Sequence, residues 1–477
     1  MKRGLLGSLG SFATLMMAVA SAHGADLLSV YDEALVNDPQ IREAEATRRA
    51  VHEAKPQARG ALLPQITGTA GKNRQWSDAN GLTPLFPGDQ NPRVTDSVNM
   101  TTTDTWALSI RQNVFSWANW VNLRMAGHEV AQAEADYLVA LQGLAQRVAQ
   151  QYFAVLQAQD TVEAQVASRE AILRQLEQQE RRFEVGLIAI TDVQEARAER
   201  DNAAAQVIAA KRALASAEEQ LRATIGEKPA SLKEPAEDMP LLSPNPAQEE
   251  DWVRISMEQN ASLISSRLAA DIARDQVSSA FSGHLPTIDL VAGRNHSDSD
   301  TRSKIPGGVP NPAITDSTSE IFGKQISLQV SVPLFSGGVT QSRVRESQYR
   351  WIAAKERLER TSRTTERTAR DAYLGVNSEI ARVQALKQAM ESSQTALTAT
   401  EAGYEVGTRT TVDVLNARRT LVAAQTNYSA AKYSYLNNVI LLRLAAGNLD
   451  RSTIEEINRL LTVTPPPVST APTPAAQ

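Results

Sequence analysis

Apolar residues recur along this chain with two different periods. Leu138, Leu141, Ala145, Val148, Tyr152, Val155 and Val162 are spaced by three, four and seven residues, the pattern of a narrow coiled-coil seam. Val376, Val383, Met390, Leu397 and Tyr404 step by seven throughout. Proline, which interrupts helices, is absent from residues 93–228 and 334–464. The first gap predicts a helix from about Asn119 to Glu184, roughly 100 Å long at about 1.5 Å per residue. A turn at Gly186 follows, where the left-handed conformation is cheap. Thr191 and Asp192 are expected to cap a returning helix that runs to about Thr224. The second gap predicts the same plan, with a turn at Gly407 and a return from Val412 to Leu444. The chain thus reads as two long antiparallel helical hairpins.

Four other stretches alternate. Ile326-Ser327-Leu328-Gln329-Val330-Ser331-Val332 does so strictly, and Trp106 to Arg111 nearly so. Pro64 to Lys72 and Pro286 to Gly293 are weaker, with Ile66, Ile288 and Leu290 on one side. An apolar face against lipid and a Ser/Gln/Arg face against water is the pattern of an outer-membrane barrel strand. A half-buried strand of a soluble sheet alternates in the same way. Residues 76–104 and 297–323, rich in Asp, Asn, Ser, Thr, Gly and Pro, are expected as exposed loops.

The pattern is written twice. Asn37 to Ile41 resembles Gln259 to Leu263, and Leu63-Pro64-Gln65-Ile66 resembles Leu285-Pro286-Thr287-Ile288, both at an offset of 222. Leu108 to Ser116 resembles Leu328 to Ser336 at 220. Phe183-Glu184-Val185-Gly186 matches Tyr404-Glu405-Val406-Gly407 at 221, as do Asp192-Val193 with Asp413-Val414 and Gly226 with Gly447. The expected organisation is a leader over 1–24, one repeat over 25–226 and a linker or small cap over 227–250. A second repeat over 251–447 precedes an equatorial segment and a disordered proline-rich tail over 448–477.

Lys2 and Arg3 precede an apolar run from Leu5 to Ala20, and small residues follow at Ser21, Ala22 and Gly24. That reads as a secretory signal peptide cleaved after Ala22 or Gly24, with a membrane anchor as the lesser alternative. No later stretch approaches about 18 apolar residues, so a mature chain that crosses a membrane must do so as a closed β-barrel. Four strands cannot close one, since about eight is the smallest closure with an interior. Several copies must share it, and cyclic symmetry is the natural arrangement. Two copies or three both satisfy the strand arithmetic.

The 477 residues include no cysteine, which excludes disulfides, thiolate metal sites, a cysteine nucleophile and a lipidated N-terminal cysteine. A net charge of −5 is a poor match to nucleic acid. His23, His52, His128, His284 and His296 have no metal-ligand spacing, and there is no phosphate loop or nucleophile elbow. The expectation is therefore no enzyme, cofactor or metal.

Over nearly the whole mature chain, from about Asp26 to Gly447, the plan resembles the TolC family of outer-membrane export ducts. Val185-Gly186-Leu187-Ile188-Ala189-Ile190-Thr191-Asp192-Val193-Gln194 is similar to the family's first helix turn. Tyr404 through Ala417, including Arg409, Asp413 and Asn416, is similar to its second. The resemblance implies a mainly α fold with a membrane β-barrel. The chain would form a homotrimer sharing a 12-stranded barrel and a coiled-coil tunnel. It would sit in the outer membrane of a Gram-negative bacterium, with its helices in the periplasm. The implied partners are a periplasmic adaptor and an inner-membrane ABC or proton-driven transporter.

Residue by residue, Tyr404 and Arg409 resemble gate-latch positions on the inner, mobile hairpin, with Thr191 and Asp192 as their partners. Asp413 resembles the upper member of an aperture-constricting carboxylate pair, and Asn416 stands where the lower carboxylate would be. Val185, Gly186, Leu187, Val406, Gly407 and Thr408 resemble adaptor docking turns. Plainer readings coexist: Asp192 as a helix cap, Arg409 as a solvated turn charge, and each glycine as a turn residue. Asn416 favours type I protein secretion over small-molecule efflux. A soluble periplasmic coiled-coil adaptor is the distant alternative.

Overall fold

A computed structural model describes residues 25–83, 90, 93–228, 231–236, 239–304 and 314–463. The expected leader and the tail beyond residue 463 lie outside them. Helices α1 (Leu27–Asn37), α2 (Pro39–His52) and α3 (Ala54–Gly60) lead to strands β1 (Gln65–Thr83) and β2 (Arg93–Phe115). Helices α4 (Trp117–Glu184) and α5 (Ile190–Ile225) follow. After the short β3 (Glu234–Pro235) the plan recurs as α6 (Glu249–Gln259), α7 (Ala261–Phe281), β4 (Thr287–Lys304), β5 (Ile314–Ser331), α8 (Val339–Glu405) and α9 (Thr411–Ala446). Helix α10 (Arg451–Asn458) and β6 (Leu461–Val463) come last. Leu27 and Glu249, Pro39 and Ala261, Gln65 and Thr287, and Trp117 and Val339 open equivalent elements, each pair 222 residues apart. The sequence repeat is thus a structural repeat.

The expected start of α5 needs correction. Its N-cap is Ala189, and no side chain caps it. Ile188 packs against Leu176, Val193 and Ala196, a hydrophobic staple that sets where the helix begins. Thr191 and Asp192 therefore fall inside the first turn, where a carboxylate meets the positive end of the helix dipole.

Two compact units divide the chain, each drawing on both repeats. One comprises residues 1–42, 140–260 and 365–477. Its core brings Tyr152, Phe153 and Leu156 of α4 together with Leu221 and Ile225 of α5, Tyr433, Leu436 and Ile440 of α9, Leu27 and Val30 of α1, and Ile454 of α10. The 227–250 segment is tied into this core. Leu232 and Met239 are buried, β3 pairs with β6, and the Tyr152 hydroxyl donates to the Lys233 carbonyl at 2.8 Å. The Trp252 indole N–H donates to the Pro246 carbonyl at 2.8 Å. Both long return helices end on a left-handed glycine, Gly226 at φ +86° and Gly447 at φ +80°.

The other unit comprises residues 43–139 and 261–364 and holds one antiparallel sheet of order β1-β2-β4-β5. The four alternating stretches are its strands. The described parts of the expected loops 76–104 and 297–323 are largely strand, because β1 continues to Thr83, β2 begins at Arg93, β4 runs to Lys304 and β5 begins at Ile314; residues 84–89, 91–92 and 305–313 lie outside the described residues. Those extensions carry polar rows on both faces, as in Asn73–Thr103–Ser299–Ser319 on one and Arg74–Thr102–Asp300–Thr318 on the other. Alternation cannot reveal a strand that has no apolar face, although its threonines favour the extended backbone. Each strand has at least 18 residues, where about 10 suffice to cross a bilayer. Within one chain β1 and β5 keep one unpaired edge each, which only another strand can satisfy. No helix among the described residues is long and apolar enough to cross a membrane.

Candidate functional site

Both helical turns close by the same backbone device. In the first, the Gly186 N–H donates to the Phe183 carbonyl and the Leu187 N–H to the Arg182 carbonyl, both at 2.8 Å. In the second, the Gly407 N–H donates to Tyr404 at 3.1 Å and the Thr408 N–H to Gly403 at 2.8 Å. This is the Schellman closure, which needs a left-handed residue at its apex. Gly186 has φ +75° and Gly407 φ +78°. The closure pushes Val185, Leu187 and Val406 outward, and each is at least 70% exposed. Thr408 is exposed as well. The six expected docking residues thus form two equivalent apolar tips.

The second turn leads into a well-capped helix. Thr410 is the N-cap of α9, and its hydroxyl accepts from the Asp413 N–H at 3.2 Å. The Asp413 carboxylate in turn accepts from the Thr410 N–H at 2.9 Å, completing a capping box. That backbone hydrogen bond, then the Thr410 hydroxyl and the nearby Arg409 charge, hold the Asp413 carboxyl below the usual range. Asn416, one turn on, is exposed. Thr410→Ala is expected to cost about 1 kcal/mol at this cap. Amide exchange over residues 411–414 should then quicken several-fold, with exchange in the core of α9 unchanged.

The expected latch residues sit at these turns without meeting in one chain. The Tyr404 ring packs against Leu397, Val414 and Leu421, and the Arg182 guanidinium lies over it at 5.3 Å. Arg409 is exposed, and its backbone N–H bonds to Gly403 at 3.2 Å. The Asp192 N–H donates to the Ala189 carbonyl at 3.2 Å, but among the described residues the side chains of Thr191, Asp192 and Arg409 have no hydrogen bond or ion pair within the chain.

Sequence reasoning missed the charges that zip the hairpins. Arg197 of α5 binds Glu180 of α4 at 2.8 Å, and Arg418 of α9 binds Glu401 of α8. The two pairs are one pair duplicated, because Arg197 and Arg418, like Glu180 and Glu401, are 221 residues apart. That offset was the available signal. A third pair breaks the symmetry: Arg419 of α9 makes a bidentate contact with Glu199 of α5, joining one hairpin to the other. Glu199 is buried, and its partnership with Arg419 lowers its pKa. The buried Gln179 amide adds a second cross-hairpin tie, donating to the Thr411 hydroxyl at 3.1 Å. No group of three or more His, Asp or Glu among the described residues could hold a metal ion.

The family model described as "Outer membrane efflux protein" matches residues 30–227 and 252–448, one match per repeat. "Outer membrane protein TolC" of Vibrio cholerae is 36% identical over 92% of this chain and 94% of its own length. The Escherichia coli protein of that name is 34% identical over 98% and 89%. "Alkaline protease secretion protein AprF" of Pseudomonas aeruginosa is 30% identical over 95% and 91%. Among solved structures, the CmeC outer membrane channel of Campylobacter jejuni superimposes with a TM-score of 0.69 at 18% identity, covering 91% of this chain and 90% of that one. At that identity the match speaks for the fold alone. With its duplicated hairpins, its four-stranded contribution to a barrel and its two glycine turns, the chain belongs to the TolC-type outer membrane efflux protein family: it is an outer-membrane channel subunit, not an enzyme.

Proposed function

We propose that this export duct is the exit channel for type I protein secretion. The observation that favours this cargo is Asn416 beside Asp413. Three copies place three carboxylates at the aperture, where two acidic positions would place six. A less charged constriction suits an unfolded polypeptide of mixed charge. The 30% identity to a protein named for alkaline protease secretion points the same way. So does 25% identity over 93% of the chain to "Proteases secretion protein PrtF" of Dickeya chrysanthemi. Small-molecule efflux is the second reading, favoured by the family description itself. In either case the duct has no energy source. An inner-membrane transporter drives export, and a periplasmic adaptor docks on the apolar tips Val185-Gly186-Leu187 and Val406-Gly407-Thr408.

The latch closes between copies. Arg409 and Asp192, unpartnered within one chain, meet across the trimer with Tyr404 and Thr191 beside them. Arg–carboxylate pairs are directional, and at a wet mouth they are weak enough to be broken by a partner. Arg409→Ser combined with Tyr404→Phe is expected to raise single-channel conductance in planar bilayers several-fold. Unchanged conductance would sink the latch. The cargo is tested in a deletion strain. Loss of one or two large secreted proteins with unaltered drug and bile-salt susceptibility supports secretion. Broad hypersensitivity with an intact secretome supports efflux.

A further inference from the structure

We propose that Arg294 of β4 and Lys324 of β5 form an anion site on the outside of the barrel, holding the phosphate of an outer-leaflet lipid. The sheet register shows which residues share a face, because directly paired residues project to the same side. On one face lie the paired rows Ile288–Val330 and Leu290–Leu328, then Ile66–Ile110–Ala292–Ile326. The other face carries rows such as Thr67–Ser109–Gly293–Gln325. The apolar face looks to lipid and the polar one to the water-filled interior. Val332 and Leu334 continue the apolar column beyond β5, and Ile326 and Leu334 are 82% and 92% exposed in a single chain. From Leu334 to Ile326 is about 27 Å at ~3.4 Å per residue, close to the ~25 Å apolar band of such barrels.

The next row is Gly68–Leu108–Arg294–Lys324, and the one after it is Ala70–Trp106–His296–Phe322. The cations therefore stand where the apolar band ends, beside an aromatic row in which His296 stacks on Phe322 at 4.5 Å. They lie toward the hairpin ends of the strands, away from Phe115 and Ser331, which lead into the periplasmic helices. This is the outer leaflet.

Arg294 and Lys324 are direct cross-strand partners. Like charges placed so repel, yet no carboxylate relieves them. Neither makes a hydrogen bond or ion pair among the described residues, and Arg294 lies only over the Trp106 ring at 5.9 Å. The flanking rows offer Ala292, Ile326, His296 and Phe322. The nearest acids on this face, Asp104, Asp298 and Glu320, are two rows on, about 13 Å along the strand. Of these, Asp104 already binds Lys72 at 2.9 Å, and Glu320 reaches back one row to His296 at 4.0 Å. A neighbouring copy cannot supply one, because β1, the edge that closes against β5, carries Ile66, Gly68, Ala70, Lys72, Arg74 and Trp76 on this face before its first acid, Asp78. Among the described residues nothing supplies the counter-charge, so an anion from outside the protein fits the pair. A guanidinium takes phosphate in a two-pronged contact and an ammonium takes it as a point charge. Ile326, Leu328 and Val330 below form the bed for acyl chains, so the phosphate belongs to a lipid rather than to solution.

The test is native mass spectrometry of the full-length trimer in mild detergent, with bis-phosphorylated lipid A as probe. Retention is expected in the wild type. It should fall about tenfold for each cation removed, so about a hundredfold in Arg294→Gln/Lys324→Gln. Arg294→Lys should keep most of it. Arg302→Gln, whose guanidinium binds Asp316 at 2.9 Å two strand rows beyond the acids' start, should change nothing. Dephosphorylated lipid A should bind the wild type as weakly as intact lipid A binds the double variant, and inorganic phosphate should not compete at equal concentration. Equal retention by the double variant, or of the dephosphorylated lipid, overturns the site. Effective competition by inorganic phosphate overturns the lipid as its source. Should the double variant fail to assemble, Lys324→Gln alone decides, and unchanged retention there overturns the proposal.

Discussion

Gly447→Ala is expected to destabilise the folded chain by about 3 kcal/mol and to strip heat-resistant trimers from the membrane. Two costs add at this position. Its φ of +80° is a left-handed conformation, which costs any residue with a Cβ roughly 1–2 kcal/mol. A Cβ there would also meet the Gln259 carbonyl oxygen at 2.5 Å and the Asn260 Cα at 2.8 Å. Those atoms are backbone at the junction of α6 and α7, and they cannot swing away as a side-chain tip would. The strain has nowhere local to relax, because the Ser256 hydroxyl and the Asn260 amide bind the Ala445 carbonyl at 2.7 and 3.1 Å. The repeat supplies the control. Gly226 has φ +86°, but the nearest atom to its added Cβ is the Asn37 Cβ at 3.5 Å, an ordinary contact. Gly226→Ala should therefore lose only the conformational part, about 1–2 kcal/mol. Gly186 and Gly407 have open space around them and should behave like Gly226. Trimer melting followed on denaturing gels ranks the four. If Gly447→Ala melts with Gly226→Ala, the close approach at the α6–α7 junction carries no energy.

Much of this architecture was legible because it depends on period and repetition. The heptad seam through Val376, Val383, Met390, Leu397 and Tyr404 ends where the structure turns, and Glu184 closes α4 as expected. Register-level features were less legible. The outer parts of the strands escaped notice because Thr101, Thr103, Ser299 and Thr301 have no apolar partner face to betray a period of two. The start of α5 was misplaced because Ile188, an apolar staple, outweighed the hydroxyl and carboxylate expected to cap it. The site divides in the same way. The apex glycines are local and show in the sequence, whereas the Thr410–Asp413 capping box, equally local, was passed over in favour of a return from Val412. The contacts of Arg182 with Tyr404 and of Glu199 with Arg419 join residues 222 and 220 positions apart, near-equivalent places in the two hairpins, and no local pattern within either repeat shows that they meet.

Breaking the Glu199–Arg419 pair is expected to loosen the proposed gate without unfolding the hairpins. Glu199 lies nine residues into α5 and Arg419 eight into α9, so the pair ties the two return helices at equal depth above their turns. Truncation in Arg419→Ala leaves a buried carboxylate without its guanidinium. Half of Arg419 is in water, so solvent offsets part of the loss, and about 2 kcal/mol is the reasonable scale. Each hairpin keeps its own tie, Arg197–Glu180 or Arg418–Glu401. The expected result is therefore a higher resting conductance and a modestly lower melting temperature, with both hairpins still helical.

Acid should act the same way. The Arg419 partnership lowers the Glu199 pKa in the folded state. Its stabilisation is fully present above the ordinary glutamate range and fades as pH falls through the lowered value. Glu234 has the opposite sign, since burial, with Asp160 and Glu163 nearby, pushes its pKa up to about 6 from an ordinary 4.5. Its ionisation removes stability as pH rises through that interval, so acid relieves it. Overall stability at low pH thus mixes two opposing effects, and only the gate readout separates them. Wild-type conductance should rise as pH falls below the glutamate range. Arg419→Ala should start high and lose most of that rise, and so should the Glu199→Ala/Arg419→Ala double variant. A pH response that survives in both variants would assign acid opening to other carboxylates and leave Glu199–Arg419 as packing alone.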